Sequence, residues 1–134
     1  SCLAGISFKK GLGLVHAISH MVGAIYDSQH GLTNAILLPP VLRFNEERIR
    51  NKSKMMNFVT FSKPEGYHSF YNNICNLLDE LEINKGLGSL GVTSNKTEEL
   101  AIKASRDAAA KTNPRKASVS QLKTLILESL ENAR

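Results

Sequence analysis

Residues 12–26 (LGLVHAISHMVGAIY) are apolar nearly all round when drawn as a helix, and a helix of that kind belongs deep in a core. It can only be stable if other elements cover it. Helical period dominates the remaining sequence too, and no stretch alternates as a half-buried strand would. The covering elements are therefore helices. The expected architecture is an all-α helical bundle of six or seven helices with short connections, one domain spanning residues 1–134.

Breakers and caps set the element boundaries. Residues 1–10 read as a first helix ending at Gly11, and Asp27-Ser28-Gln29 make a polar break after the second. A third helix opens at His30-Gly31 and carries Leu32, Ala35, Ile36 and Leu37 up to Pro39-Pro40. These prolines are expected to kink or end it before residues 41–45. Residues 46–58 form a more polar helix. Residues 67–82 then place Phe70, Ile74, Leu77, Leu78 and Leu81 at amphipathic spacing. Gly86, Gly88 and Gly91 mark a turn-rich connection. Asn95 with Glu98 suggests the start of a helix over 96–111, striped by Leu100, Ala104 and Ala108, and Asn113-Pro114 ends it. Ser118 and Gln121 predict a capping box for a last helix, with Val119, Leu122, Leu125, Ile126 and Leu130 facing the core.

Composition excludes several classes. No apolar run approaches the roughly 18–20 residues that span a bilayer, so no membrane segment is expected. The first residues lack a basic region ahead of an apolar stretch, which argues against a signal peptide. Cys2 and Cys75 form no Cys-x-x-Cys pair, so two thiols in a reducing, cytoplasmic setting are expected. The net charge of +5 is densest over residues 43–54, but Glu46 and Glu47 interrupt it and no aromatics stand at stacking intervals. A solvated helix face explains this better than a nucleic-acid groove. The chain also opens without Met in what reads as mid-helix, with no cap ahead of Leu3, Ile6 and Phe8; it is expected to be part of a larger protein.

Three of the four histidines, His16, His20 and His30, fall within fifteen residues, while His68 stands apart. His16 and His20 are four apart and share one helical face, with Cβ atoms about 6 Å from each other. His30 follows a short break and can fold back toward them. Imidazoles converging from two adjacent helices suit a divalent ion such as Fe²⁺ or Zn²⁺. A His-x-x-x-His pair also arises by chance, however, and a buried histidine is more often hydrogen-bonded in a core. Spacing alone leaves both readings open.

The run from Gly11-Leu12-Gly13 through His16, His20 and Gly23-Ala24 to His30-Gly31-Leu32-Thr33-Asn34-Ala35-Ile36-Leu37-Leu38-Pro39 resembles the signature of the iron-containing (group III) alcohol dehydrogenases. Residues 41–45, and Asp107 followed by Asn113-Pro114-Arg115, extend the resemblance over essentially the whole chain. It implies the C-terminal half of the helical domain of the dehydroquinate synthase-like fold. It also implies that His16 and His30 bind the catalytic Fe²⁺, and that His20 is a catalytic residue beside nicotinamide and substrate. Two further ligands, an Asp and a His, and the domain that binds NAD or NADP would lie outside this sequence. The activity implied is interconversion of a small primary alcohol or diol and its aldehyde, with the metal supplying Lewis acidity and the cofactor taking the hydride.

Met21 stands where the family usually has Pro, Pro40 where it often has His, and residues 4–11 are one residue short, which affects the placement of Phe8 as a pocket wall. These residues alone are expected to be inactive and to bind metal only weakly. The face of residues 12–26 should stand open toward the missing half, so a homo-oligomer is expected. Two rival readings are a zinc-dependent glycerol dehydrogenase-like enzyme and a non-catalytic helical interaction module.

Overall fold

A computed structural model describes residues 11–132. The expected helix over residues 1–10, with Phe8 and Cys2, lies outside the described residues. Five α-helices and no strand occur among the described residues: α1 Leu14–Tyr26, α2 His30–Phe61, α3 Tyr67–Glu80, α4 Thr97–Arg106 and α5 Val119–Glu128. Short 3₁₀ turns at Leu87–Leu90, Ser94–Lys96 and Ala108–Thr112 join the last three. No described helix is long and apolar enough to cross a membrane.

One core cluster gathers Leu14, Ile18 and Val22 of α1, Leu37 of α2, Leu100 of α4 and Leu122 and Ile126 of α5. Full burial of each such side chain stabilises the fold by about 1.5–3 kcal/mol. A second cluster packs Leu42 and Ile49 of α2 against Tyr67, Phe70, Ile74 and Leu78 of α3. The long helix α2 thus belongs to both halves of the bundle. The face of residues 12–26 is largely covered by the domain itself: Leu14, Ala17, Ile18, Ser19 and Val22 are buried. Leu12, Val15 and His16 are only half-buried. The open apolar strip is narrower than the sequence suggests.

Pro39 and Pro40 do not end their helix. Helix α2 runs through both for 32 residues, merging two predicted helices into one. Each proline removes a backbone donor and normally costs about 3 kcal/mol in a helix interior. Here Leu37, Pro39, Pro40, Val41 and Leu42 are all buried, so packing on both sides holds the backbone helical against that cost.

The C-terminal elements follow the sequence more closely at one end than at the other. Both bonds of the Ser118–Gln121 capping box form, at 3.2 and 3.0 Å. Leu122, Leu125 and Ile126 are buried, whereas Val119 is exposed. Helix α4 stops at Arg106 because Asp107 turns extended and its side chain accepts from Ala109 N–H, capping the next turn instead. Ala108 is therefore exposed, and Ala101 joins Leu100 and Ala104 in the core. Asn95 does not cap α4; its side chain accepts from the Thr93 hydroxyl. Leu77 and Leu81 of the predicted α3 stripe are likewise exposed.

A buried asparagine pair ties the two ends of the fold together. Asn45 on α2 and Asn113 exchange amide bonds of 3.1 and 2.7 Å. The Asn113 Oδ1 also accepts from Leu14 N–H at 3.2 Å, and its Nδ2 donates to the Arg115 carbonyl. Helix α1 has no side-chain cap of its own, so this residue, 99 positions away, satisfies one of its orphan donors. Gly11 and Gly13 permit the approach. Both have positive φ, and a Cβ on Gly11 would overlap the Thr112 side chain.

Tyr67 is buried, and its hydroxyl has no hydrogen-bond partner. Burial and the nearby Glu46 carboxylate push its pKa up to about 12. Removing an unsatisfied hydroxyl sheds a desolvation cost. Tyr67→Phe should therefore leave the melting temperature unchanged or raise it, and a drop of several degrees in thermal unfolding would show that the hydroxyl has a partner.

Candidate metal centre

Helix α1 places His16 and His20 one turn apart, and the break at Asp27-Ser28-Gln29 folds α2 back so that His30, its first residue, meets them. The three rings form a nearly equilateral triangle, with centroids 5.9 Å (His16–His20), 5.3 Å (His16–His30) and 5.7 Å (His20–His30) apart. His68 at the start of α3 packs on Tyr67 instead.

The hydrogen bonds set which ring nitrogens are available. Asn34, one turn along α2 from His30, places its Nδ2 3.0 Å from His30 Nε2 and 3.4 Å from His16 Nε2. One amide group thus faces both Nε2 atoms, which accept its two hydrogens through lone pairs. The His30 Nδ1 lies 3.1 Å from the hydroxyl of Ser19, a buried residue of α1. That bond lets Nδ1 carry the proton and leaves the Nε2 lone pair free for another partner. The His16 Nδ1 and the Asn34 Oδ1 are buried without a hydrogen-bond partner.

Burial lowers the pKa of His16, and the neighbouring His30 and His20 push it the same way; the Leu12 backbone and Asp107 act in the opposite sense. A neutral imidazole is the form that binds metal. His20 differs from the other two. Its Nδ1 lies 3.1 Å from Asp107 Oδ2, 87 residues away, and its ring stacks on His30 at an interplanar angle of 13°.

The donor set suits a divalent transition metal in type but falls short in number. Two Nε2 atoms address a common neighbour, yet no group of three or more His, Cys, Asp or Glu among the described residues could hold a metal ion. Iron favours added oxygen ligands, and both oxygens of the Asp107 carboxylate beside the histidines are already taken by His20 and Ala109 N–H. Beside His16 and Asn34 opens a cleft of about 330 Å³, lined otherwise by the apolar Leu12, Val15, Ala35 and Leu38. Sequence reasoning finds the three histidines but assigns no role to Ser19, Asn34 or Asp107. Asn34 and Ser19 carry a weak local signal, as polar residues one turn or less from a histidine, whereas Asp107 carries only its place in the motif that runs on to Asn113-Pro114-Arg115.

Fold and site together define an all-helical domain that gathers imidazoles from two consecutive helices beside an apolar cleft. Residues 1–130 match the sequence model of the Fe-containing alcohol dehydrogenase family, C-terminal, and the chain belongs to that family. It is 37% identical over 123 residues to the probable alcohol dehydrogenase EutG of Escherichia coli, covering 91% of this chain and 31% of that protein. It is 32% identical to the 1,3-propanediol dehydrogenase of Klebsiella pneumoniae, covering 96% of this chain and 35% of that protein. Among solved structures, a 1,3-propanediol oxidoreductase superposes with a TM-score of 0.79 at 30% identity, over 88% of this chain and 32% of the other. The chain spans about a third of the length of these relatives.

Proposed function

We propose that this chain is the metal-ligating C-terminal portion of an iron-dependent, NAD(P)-linked alcohol dehydrogenase acting on a small primary alcohol or diol. The observation that carries the reading is the approach of His16 Nε2 and His30 Nε2 to one common neighbour, the Asn34 amide nitrogen. The relatives' names support the substrate class: they include an NAD-dependent methanol dehydrogenase and an NADPH-dependent butanol dehydrogenase.

His16 and His30 would hold the ion, with Ser19 orienting the His30 ring. When bound, the ion supplies Lewis acidity toward an alcohol oxygen, and the nicotinamide accepts hydride. The apolar side chains of the adjoining cleft keep water from the site and accept the short carbon chain of the substrate. His20 serves the reacting groups without ligating. The remaining ligands and the nucleotide-binding domain belong to the rest of the polypeptide, so these residues alone are inactive.

Stripping the complete polypeptide with a chelator should abolish NAD(P)-linked oxidation of small primary alcohols, and ferrous ion should restore it. Restoration by zinc alone would favour the glycerol dehydrogenase-like chemistry. Full activity after verified metal removal would sink the proposal.

A further inference from the structure

We propose that Asp107 is a positioning residue that fixes the tautomer and ring orientation of His20. The part of this proposal that concerns turnover rests on the reading of His20 as a residue beside the reacting groups; the part that concerns the tautomer does not. Asp107 stands where α4 gives way to the Ala108–Thr112 turn, and it is held there from two sides. Its own N–H donates to the Ala104 carbonyl at 3.1 Å. Its Oδ1 accepts from Ala109 N–H at 2.7 Å. The remaining oxygen, Oδ2, meets His20 Nδ1 at 3.1 Å, and the Asp107 side chain is only 16% exposed.

An ionised carboxylate only accepts hydrogen bonds. The geometry thus has His20 donate from Nδ1 to Oδ2 and leaves Nε2 for another partner. The backbone anchors of Asp107 keep this acceptor in place as the imidazole exchanges protons, and the stacked His30 ring limits rotation from the other side.

Asp107→Asn separates this role from a structural one. The amide oxygen can keep the Ala109 cap, which turns the NH₂ group toward His20. That group donates to Nδ1 and drives the ring proton to Nε2. Histidine-selective ¹⁵N NMR of the complete polypeptide reads the tautomer directly, with the His20 signal assigned by its loss in His20→Asn. The expected result is an Nδ1-protonated His20 in the parent and an Nε2-protonated one in Asp107→Asn. Metal content and KM for the alcohol should stay unchanged, while kcat falls on the order of 100-fold. A parent His20 protonated on Nε2, or a tautomer that Asp107→Asn does not move, overturns the proposal. An inverted tautomer with unchanged kcat upholds the positioning and removes His20 from the reaction instead.

Discussion

Asn113→Ala will destabilise this domain by about 3–5 kcal/mol, more than any exposed substitution. The side chain joins three segments: its oxygen receives Leu14 N–H and Asn45 Nδ2, and its nitrogen donates to Asn45 Oδ1 and the Arg115 carbonyl. Alanine leaves the Leu14 donor and both ends of the Asn45 amide buried and unpaired, each costing about 1–3 kcal/mol without full additivity. For a domain of this size the melting temperature should fall by roughly 10–20 °C. Asn45→Ala should cost less, because Asn113 keeps Leu14 and Arg115, and the double variant should fall short of the sum. Thermal unfolding of the two single variants and the double variant checks this. A loss below about 1 kcal/mol for Asn113→Ala would mean that water replaces the amide and that α1 needs no remote cap.

The second large effect concerns metal content. In the complete polypeptide, His16→Ala and His30→Ala should each lower bound metal at least about 10-fold and abolish turnover, since each removes one of the two nitrogens proposed as ligands. His20→Ala should retain the metal and lose rate instead, because the Asn34 amide draws together only the Nε2 atoms of His16 and His30. His68→Ala, on α3 beside Tyr67, should change neither. Ser19→Ala should have a smaller effect than His16→Ala or His30→Ala, weakening metal retention by no more than about 10-fold through the freed His30 ring. Elemental analysis of purified variants distinguishes these patterns. Equal metal loss in His20→Ala and His16→Ala would contradict the division of roles.

Local chemistry made much of this readable in advance. The apolar run of α1, the break at residues 27–29 and the Ser118 capping box are short-range signals, and the structure carries each of them. The grouping of His16, His20 and His30 was readable for the same reason, since it needs only one helical turn and one reversal. Where tertiary packing competes with local preference, the sequence misleads. Pro39 and Pro40 are helix breakers by themselves, yet buried packing carries α2 through them. Asp107 sits inside an apparently continuous helical pattern, yet its carboxylate caps the following turn and serves His20. The clasp between Asn45 and Asn113 joins positions 68 residues apart, and no local pattern encodes such a pair.

The position of the ion decides between these roles. A crystal of the iron-loaded complete polypeptide, measured at the iron absorption edge, locates it by anomalous scattering independently of any activity assay. The predicted peak lies about 2.1 Å from both His16 Nε2 and His30 Nε2, displacing the Asn34 amide from between them and leaving His20 Nδ1 on Asp107. A peak bound through His20 or His68, or a loaded protein with no peak between residues 16 and 30, would contradict the account.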